Sequence, residues 1–416
     1  MKKIVQKFGG TSLNSDQKRR RAVSRVKEAL DNGYFPVLVV SAMGRLGDAY
    51  ATDTLISKAE EIVPDIAPRE KDLLMSCGEV ISAVIMVQYL KKNGLEGVAL
   101  TGAQAGIITN NSYGDSQIKR VNPERIYELY RENKIPVVAG FQGISDSGEI
   151  TTLGRGGSDT TASILAEAIK ADYIEIFTDV DGVMTADPTL VENACILKQI
   201  SYNEVCELAY QGARVIHPRA AEIARNASIP IKVQSIYNDK PGTVIEQNNR
   251  IKTDGDRPIT GVASRHNILF VKIIPEELTE YAGGLKVFRV LADSGISVDF
   301  INIRPVAISF IIREKYKDMI EYLLNEHGFD YRLNDEFVKI SLVGGGMTGQ
   351  PGIMAKIVEA LSREDISIYQ TTDSHTTISC LIKAESEKKA LNVLHETFSL
   401  DQIPKFKEDK NERRFW

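Results

Sequence analysis

Residues 152–168, TLGRGGSDTTASILAEA, combine side chains that suit a charged small molecule, directly ahead of a helical pattern. Glycines let a ligand approach the backbone, and a helix start offers unpaired amides at the positive end of its dipole. Arg155 adds a planar guanidinium group, which can form paired hydrogen bonds with a carboxylate or a phosphate. Because Asp159 would repel the same anion, a metal cation between them is indicated. The competing interpretation is an ordinary strand-to-helix turn with Ser158 or Asp159 as the N-cap.

Two further loops carry charge beside glycine. KFGGTS, residues 7–12, places Lys7 and two glycines after the first apolar run, which would let the backbone bend around a phosphate. FTDVDGVMTADP, residues 177–188, holds three aspartates, which could bind Mg²⁺ through water or cap turns. Its spacing does not meet the EF-hand order, so we predict that this loop contacts a nucleotide rather than enclosing a metal ion. The chain has no Walker A, dinucleotide-binding or protein-kinase signature.

A helical pattern at LLMSCGEV, residues 73–80, places Glu79 among apolar and small neighbours. A carboxylate buried or facing a cleft there could accept a substrate ammonium. SAMG, residues 41–44, and Thr52 offer hydroxyl groups, whereas His217, ahead of Pro218, is predicted to be structural. Positive groups, glycine loops and acidic residues without a nucleophilic triad are what phosphoryl transfer requires, since its catalysis is mainly positioning and electrostatics.

The composition sets the broad class. The 416 residues carry a formal net charge of −5, with 43% hydrophobic and 26% charged residues, as in ordinary globular proteins of two or three domains. This balance does not point to nucleic acid. Four scattered cysteines indicate neither zinc nor disulfides. With no signal peptide and no apolar segment long enough to span a membrane, we expect a cytoplasmic protein.

Strands alternate with amphipathic helices in the first half of the chain. Strands are predicted at 4–8, 36–41, 98–101, 136–141, 173–178 and 231–234, and helices at 20–32, 71–93 and 160–170. This pattern predicts a mainly parallel sheet covered on both faces, with ligands at the carboxyl ends of the strands. A linker is predicted at 246–258. Beyond it, a weak repeat offset by 70 positions predicts a duplicated small α/β module.

In this order KFGGTS, SAMG, SCGE, TLGRGGSDT, TDVDGVMTADP and the duplicated module resemble the aspartokinases, and specifically the monofunctional bacterial type. The resemblance implies a three-layer αβα sandwich of the amino-acid-kinase fold at 1–245. Two ACT modules of βαββαβ type follow at 259–335 and 336–404, then a charged tail at 405–416. Which module owns the strand at 259–263 is left open. The implied reaction is ATP-dependent phosphorylation of the L-aspartate side chain, the first step toward lysine, threonine, methionine and diaminopimelate.

The resemblance also implies roles for individual residues. Catalytic roles fall to Lys7 and Asp159. Substrate binding is implied for Ser41, Thr52, Glu79, Arg155, Gly156, Gly157 and Ser158. Nucleotide contacts are implied for Lys7, Gly9, Gly10, Thr178, Asp179, Met184, Thr185, Ala186, Asp187, Pro188, Thr189 and Arg214. Effector contacts are implied for Ser297, Val298, Asp299, Pro351, Gly352 and Ile353. Mg²⁺ is expected to arrive on the ATP phosphates, with no metal ligands assigned in the protein.

Two departures from the family pattern change what we expect. Arg214 stands where the family commonly carries a lysine, so altered ATP affinity is expected rather than lost activity. In the first ACT module, TEYA at 279–282 replaces the usual Asp-x-Pro-Gly turn, so its effector contacts are in question. A homodimer through the ACT modules is expected, with lysine, threonine, meso-diaminopimelate or no effector. The alternatives are another kinase of the superfamily, for glutamate, acetylglutamate, carbamate or a nucleoside monophosphate, and an amino-acid sensor without turnover.

Overall fold

Short runs of β-branched and other apolar residues form the strands of the first half of the chain, because such side chains suit a buried pleated surface. The computed structural model describes residues 2–213, 215–247, 257–274, 282–304 and 307–402. Arg214, most of the predicted linker, most of the turn at 279–282 and the predicted tail lie outside the described residues.

The first-half strands are, in chain order, β1 (Lys2–Phe8), β2 (Tyr34–Val40), β3 (Gly97–Leu100), β4 (Ile107–Thr109), β5 (Ile118–Val121), β6 (Ile135–Ala139), β7 (Gln142–Ser145), β8 (Ile150–Thr152), β9 (Tyr173–Thr178), β10 (Gln199–Ser201), β11 (Ile231–Ser235) and β12 (Thr243–Glu246).

The helices of this half are α1 (Asp16–Asp31), α2 (Thr52–Glu60), α3 (Pro68–Lys92), α4 (Glu124–Arg131), α5 (Gly157–Ile169), α6 (Tyr202–Tyr210) and α7 (Pro218–Ala227). All six predicted strands and all three predicted helices are present, with ends shifted by a few residues. Helix α1 begins earlier than predicted because the Ser15 side chain accepts a hydrogen bond from the Lys18 amide and caps it. Helix α3 begins at a proline, which suits a first helical position.

Eight strands form one sheet in the order β10-β12-β11-β9-β1-β2-β6-β3. Every neighbouring pair is parallel except β11 with β12. One buried cluster lies between the sheet and helices α4, α5 and α7, and another lies between the sheet and helices α1 and α3. These layers confirm the expected αβα sandwich, with the carboxyl ends of β1, β2 and β9 adjacent at one edge. A smaller sheet, in the order β5-β4-β7-β8, lies beside it.

Helix α3 is, among the described residues, the one helix that is long and apolar enough to cross a membrane by length and composition. The sequence pattern predicts no such segment, so this helix departs from the expectation. In the structure this helix packs against β3, β6 and β8, and it buries two carboxylates, Asp72 and Glu79. A core helix of a folded domain meets the same length criterion as a membrane span.

The second half contains β13 (Gly261–Arg265), β14 (Ile268–Ile273), α8 (Ala282–Asp293), β15 (Asp299–Arg304), β16 (Ala307–Arg313), α9 (Lys317–Glu326), β17 (Tyr331–Asn334), β18 (Phe337–Val343), α10 (Ile353–Arg363), β19 (Gln370–Asp373), β20 (Thr377–Lys383) and α11 (Glu387–Thr397). The repeat is visible in the fold, since β16 and β20 begin 70 positions apart, at Ala307 and Thr377. We call the two repeats the first and the second module.

The sheets of the two modules have matching orders. The first is β15-β16-β14-β17 and the second is β19-β20-β18-β13. In the second module β13 therefore takes the edge position that β17 has in the first, and Gly261 to Arg265 pair antiparallel with β18. Of the two owners that the sequence left open for this strand, the structure places it in the second module. A strand that precedes the first module thus completes the sheet of the second.

Candidate active site

Lys7 lies near the carboxyl end of β1, in the middle of the eight-stranded sheet, where β2 and β9 flank it. Its Nζ atom lies 2.7 Å from Oδ1 of Asp159, in the first turn of α5, and both side chains are 12% exposed. An ion pair this well shielded from water is held much more firmly than one on the surface. The two residues that the resemblance names as catalytic are therefore in direct contact.

The loop after β1 packs tightly against the loop after β2. The Gly44 amide donates to the Gly10 carbonyl at 3.2 Å, and the Ser41 amide donates to the Phe8 carbonyl at 3.1 Å. A Cβ atom at Gly10 would lie 2.4 Å from the Ala42 carbonyl oxygen, so this position has no room for a side chain. Gly10 is thus required by the neighbouring loop. Gly9 lies nearer Lys7, since a Cβ atom there would be 3.5 Å from its Nζ.

Helix α5 begins without a side-chain cap. Its N-cap is Gly156, with φ of 68°, rather than Ser158 or Asp159 as the competing interpretation had it. Among the described residues the amides of Ser158 and Asp159 have no acceptor, which leaves them free for an anion at the positive helix end. Arg155 is exposed and makes no hydrogen bond or ion pair within the described chain. The helix start therefore gathers unused donors next to the Lys7–Asp159 pair.

His217, which the sequence analysis took as structural, lies against this helix start. A Cβ atom at Gly156 would lie 2.3 Å from its side chain, so only glycine fits there. Burial lowers the pKa of His217, and the nearby Asp159 carboxylate partly opposes this shift. The imidazole thus packs against Gly156 and forms one side of the site next to Asp159. No local pattern in the sequence could have revealed this, because the two residues come from α5 and from the start of α7.

Glu79 is only 3% exposed and faces the loop after β2. Its Oε1 accepts a hydrogen bond from the Ala42 amide at 3.1 Å, while its Oε2 is buried without a partner in the described residues. Burial raises the pKa of Glu79 to about 8, and the Ala42 hydrogen bond opposes the shift. Gly78 makes the approach possible, since a Cβ atom there would lie 2.8 Å from that of Ala42. Glu79 is therefore a carboxyl group with an unused oxygen that a cation could satisfy.

Two hydroxyl residues of the predicted substrate site lie on the same side as Glu79. Ser41 directly follows β2 and is half-buried. Thr52 is the first residue of α2, and its hydroxyl makes no hydrogen bond within the described residues. Both hydroxyls are free to bind a small polar molecule.

The acidic loop after β9 is held by its own neighbours. Asp179 pairs with Arg45 at 3.0 Å and accepts from the Thr178 hydroxyl at 3.2 Å. Asp181 pairs with Lys240 at 2.6 Å, and this hydrogen bond is the main reason that the pKa of Asp181 lies below its ordinary value. Within the described chain no group of three acidic, histidine or cysteine side chains could hold a metal ion.

The segment 184–189, for which a nucleotide role is predicted, also contacts the second module through two of its residues. Thr185 is 3% exposed, and its hydroxyl bonds the imidazole Nε2 of His395 in α11 at 2.9 Å and accepts from the Cys195 amide. Its carbonyl accepts from the Val262 amide, and Ala186 lies in the buried cluster of the second module. Both residues therefore contact the second module, and their ATP contacts stay predictions. The remaining members are half-buried or exposed, namely Met184, Asp187, Pro188 and Thr189.

One face of helix α6 also holds the second module. Glu204 accepts from the Thr260 hydroxyl at 2.5 Å and from the Gly345 amide at 3.1 Å. Farther along the helix, Glu207 accepts from Thr377 at 3.2 Å, and Gln211, the C-cap residue, accepts from Ser341 at 3.0 Å. Spacings of three and four residues keep these side chains on one helix face.

The predicted effector residues fall in different surroundings. Asp299 bonds the buried ammonium of Lys339 at 2.9 Å and the guanidinium of Arg265 at 3.2 Å, both from the second module. Burial alone would raise the pKa of Asp299, but these cations outweigh it and the pKa lies below its ordinary value. The carboxylate thus already has two cationic partners. Ser297 and the segment 351–352 are exposed, Val298 is half-buried, and Ile353 is buried in the core of the second module.

Comparison with known proteins defines the class. Residues 2–235 match the model of the amino acid kinase family, and residues 332–396 match an ACT domain. A parallel-sheet domain has a shielded Lys–Asp pair at a helix start, and two small modules follow it, one of βαββαβ order and one whose sheet β13 completes. Such a chain is an amino acid kinase with ACT domains. The expected fold class is confirmed.

The particular family follows from whole-chain similarity. The chain is 46% identical over 405 residues to Aspartokinase 1 of Bacillus subtilis (strain 168), covering 97% of this chain and 100% of that protein. Among solved structures, the aspartate kinase of Clostridium acetobutylicum has a TM-score of 0.77 at 25% identity, covering 95% of this chain and 100% of that one. The E. coli aspartokinase III complex with aspartate and ADP has a TM-score of 0.76 at 24% identity, covering 95% and 99%. The chain belongs to the aspartokinase family.

Proposed function

We propose that the chain transfers the terminal phosphoryl group of ATP to the side-chain carboxylate of L-aspartate, giving 4-phospho-L-aspartate and ADP. The Lys7–Asp159 ion pair carries this proposal, because it holds a cation at the carboxyl end of the sheet beside the free amides of α5. Family membership at 46% identity over nearly the whole chain supports the choice of substrate. No observation on the described residues favours glutamate or acetylglutamate as the acceptor.

Three kinds of group would hold L-aspartate. Glu79 would accept the ammonium through its unpartnered oxygen, which also removes the cost of an unsatisfied buried acceptor. Arg155 would pair with a carboxylate, since its guanidinium is exposed and unused. The hydroxyls of Ser41 and Thr52 would orient the molecule. Gly156, Gly157 and Ser158 would leave room for it at the start of α5.

The transfer itself needs little covalent help from the protein. A carboxylate oxygen of L-aspartate would attack the terminal phosphorus of ATP as the bond to the bridging oxygen breaks, and no general base is required because the carboxylate is already ionised. Lys7 would stabilise negative charge on the moving phosphoryl group, and Asp159 would hold Lys7 in position. The free amides of Ser158 and Asp159 would add donors.

The nucleotide would lie on the β9 side of the site. Gly9 and Gly10 would approach its phosphates, and Thr178, Asp179 and the exposed part of segment 184–189 would contact it. Arg214 would contribute its charge there. The described residues offer no cage of three metal-binding side chains, so a divalent cation such as Mg²⁺ would be held mainly by ATP phosphates and would neutralise their charge.

The regulatory part of the proposal assigns the tandem modules to amino-acid sensing, with lysine, threonine or meso-diaminopimelate as the effector. A module attached through α6 and Thr185 could bias the kinase between two states. A homodimer through the modules and a cytoplasmic setting belong to the same proposal. Titrating the three compounds against the initial rate would identify the effector.

A coupled ADP-release assay with L-aspartate, L-glutamate or no acceptor tests the reaction. We expect turnover with L-aspartate alone. Lys7→Ala should lower kcat by about 10²–10³-fold while the protein stays folded, since one charge that stabilises the transition state is lost. Lys119→Ala is the matched control, because Lys119 makes a comparably short ion pair with Asp146 at an exposed position on β5. Near-normal activity of Lys7→Ala would refute its assigned role, and ligand binding without turnover would indicate a sensor.

A further inference from the structure

Asp72 is a buried carboxylate that none of the roles above uses. It lies near the start of α3, is 1% exposed and pairs with no cationic side chain among the described residues. Its Oδ2 accepts from the Thr152 amide at 2.7 Å and its Oδ1 accepts from the Thr152 hydroxyl at 2.8 Å. Both oxygens also accept from the Gly114 amide at 3.0 Å. A carboxyl group in such a place is tolerated only because these donors replace water.

Thr152 is the last residue of β8 and the first of the TLGRGGSD segment that carries Arg155. The loop around Arg155 is intrinsically pliable, since Gly154 precedes this residue and Gly156 follows it, and glycine has more backbone freedom than other residues. Its base is nevertheless held by several hydrogen bonds, among them those from the Ser116 amide to the Thr152 carbonyl at 2.8 Å and from the Leu153 amide to the Phe141 carbonyl at 2.9 Å. Two further contacts come from side chains. Asp72 holds Thr152, and Arg219 donates to the Leu153 carbonyl at 3.3 Å. The position of Arg155 therefore depends on where this base is fixed.

Asp72 and Glu79 lie on the same buried face of α3, seven residues or about two helical turns apart. Ser76, between them on that face, accepts from the Gln142 side chain through its carbonyl at 3.0 Å. The helix is a rigid spacer in this arrangement. One end of its polar face clamps the loop that carries Arg155, and the other end presents Glu79.

We infer that Asp72 is a positioning residue for L-aspartate, which fixes the spacing between Arg155 and Glu79. It does so by binding Thr152 across the gap between α3 and β8. This inference rests on the proposed function, because it takes Arg155 and Glu79 as the groups that hold the two ends of the amino acid. Among the described residues, the hydrogen-bond partners of Asp72 are Gly114 and Thr152, and neither belongs to the nucleotide side of the site.

Asp72→Asn tests the inference with little change of shape. The new amide would replace one acceptor oxygen by a donor that faces existing donors, so the clamp on Thr152 and Gly114 would loosen. We expect KM for L-aspartate to rise on the order of tenfold, with KM for ATP changed less than about twofold. That split between the two substrates would not follow from a general loss of stability.

Thr151→Val is the matched control. It removes the buried 2.6 Å hydrogen bond between the hydroxyls of Thr109 and Thr151, one residue earlier on β8, and leaves Asp72 untouched. We expect a lower melting temperature and an unchanged KM for L-aspartate. Equal effects of Asp72→Asn and Thr151→Val on KM, or no effect of Asp72→Asn, would overturn the inference.

Thr152→Val covers the case in which Asp72→Asn fails to fold. It removes the hydroxyl bond to Asp72 and keeps the amide bond, so a smaller rise in KM for L-aspartate is expected. An unchanged KM in that variant would also overturn the inference. If the unmodified enzyme does not turn over L-aspartate, the proposed function fails first, and the two failures are thereby distinguished.

Discussion

Replacing Glu79 with glutamine should remove a pH dependence of L-aspartate binding that the unmodified enzyme shows below about pH 8. Burial raises the pKa of Glu79 to about 8, so the free enzyme holds this group mostly as the neutral acid at neutral pH. An ammonium group is held best by the ionised form. Binding of L-aspartate must therefore be accompanied by loss of the Glu79 proton.

The magnitude follows from the pKa. At pH 7 a carboxyl group with a pKa of about 8 is ionised in about one molecule in eleven, so affinity is about elevenfold weaker than its high-pH limit, or about 1.4 kcal/mol. KM for L-aspartate should fall nearly tenfold as the pH rises from about 6 to about 7, and level off above about 8. In Glu79→Gln the amide cannot ionise, so KM should be raised and flat.

The titration of Glu79 should also affect the stability of the free enzyme, but in the opposite direction: binding of L-aspartate strengthens as the pH rises, whereas stability falls. The folded state keeps the proton on Glu79 up to about pH 8, whereas the unfolded chain loses it near the ordinary glutamate pKa of 4.5. The unfolded state therefore binds fewer protons in this window, and stability falls as the pH rises through it, by up to about 1.4 kcal/mol per pH unit from this group. Saturating L-aspartate should offset this loss, so its stabilising effect should grow toward pH 8.

The assay is the initial rate of ADP release at constant ionic strength, over the pH range in which the substrate ammonium stays protonated. Melting temperatures with and without L-aspartate are recorded at the same pH values. KM for ATP is the internal control and should not follow the titration of Glu79. A wild-type KM for L-aspartate that stays constant over this range, while Glu79→Gln raises it equally at every pH, would refute the reasoning.

Two further substitutions test the packing around the site. Gly156→Ala combines a positive φ with a clash against His217, so it should lower the melting temperature and kcat by far more than Gly148→Ala, which has a similar φ and nothing within 4 Å. Equal effects of the two variants would contradict the packing of His217 against Gly156. Thr185→Val leaves the His395 imidazole without its partner, at a cost of about 1–3 kcal/mol. It should speed hydrogen exchange in α11, unlike the exposed control Thr397→Val, and unchanged exchange would count against docking through Thr185.

Much of the site could be predicted from local sequence because its parts lie at the ends of strands. Lys7 lies near the carboxyl end of a strand that parallel topology places inside the main sheet. Asp159 and Arg155 flank a helix start that could be predicted locally, but this helix follows β8 of the smaller sheet, so its approach to Lys7 depended on tertiary packing. Glu79 was recognisable as a polar residue on an apolar helix face. The contact of Thr185 and Ala186 with the second module could not be predicted, because a loop sequence does not say which neighbouring domain will cover it.

The sequence by itself determined the alternation of strands and helices, the glycine loops that end the strands, and the duplication of the C-terminal module. These are properties of neighbouring residues, and side-chain periodicity and backbone freedom encode them locally. Only the tertiary structure decided that β13 completes the second module, that Asp72 clamps Thr152, and that Glu79 is buried deeply enough to hold its proton. Each of these depends on which distant segments exclude water from one another, and no local pattern records that.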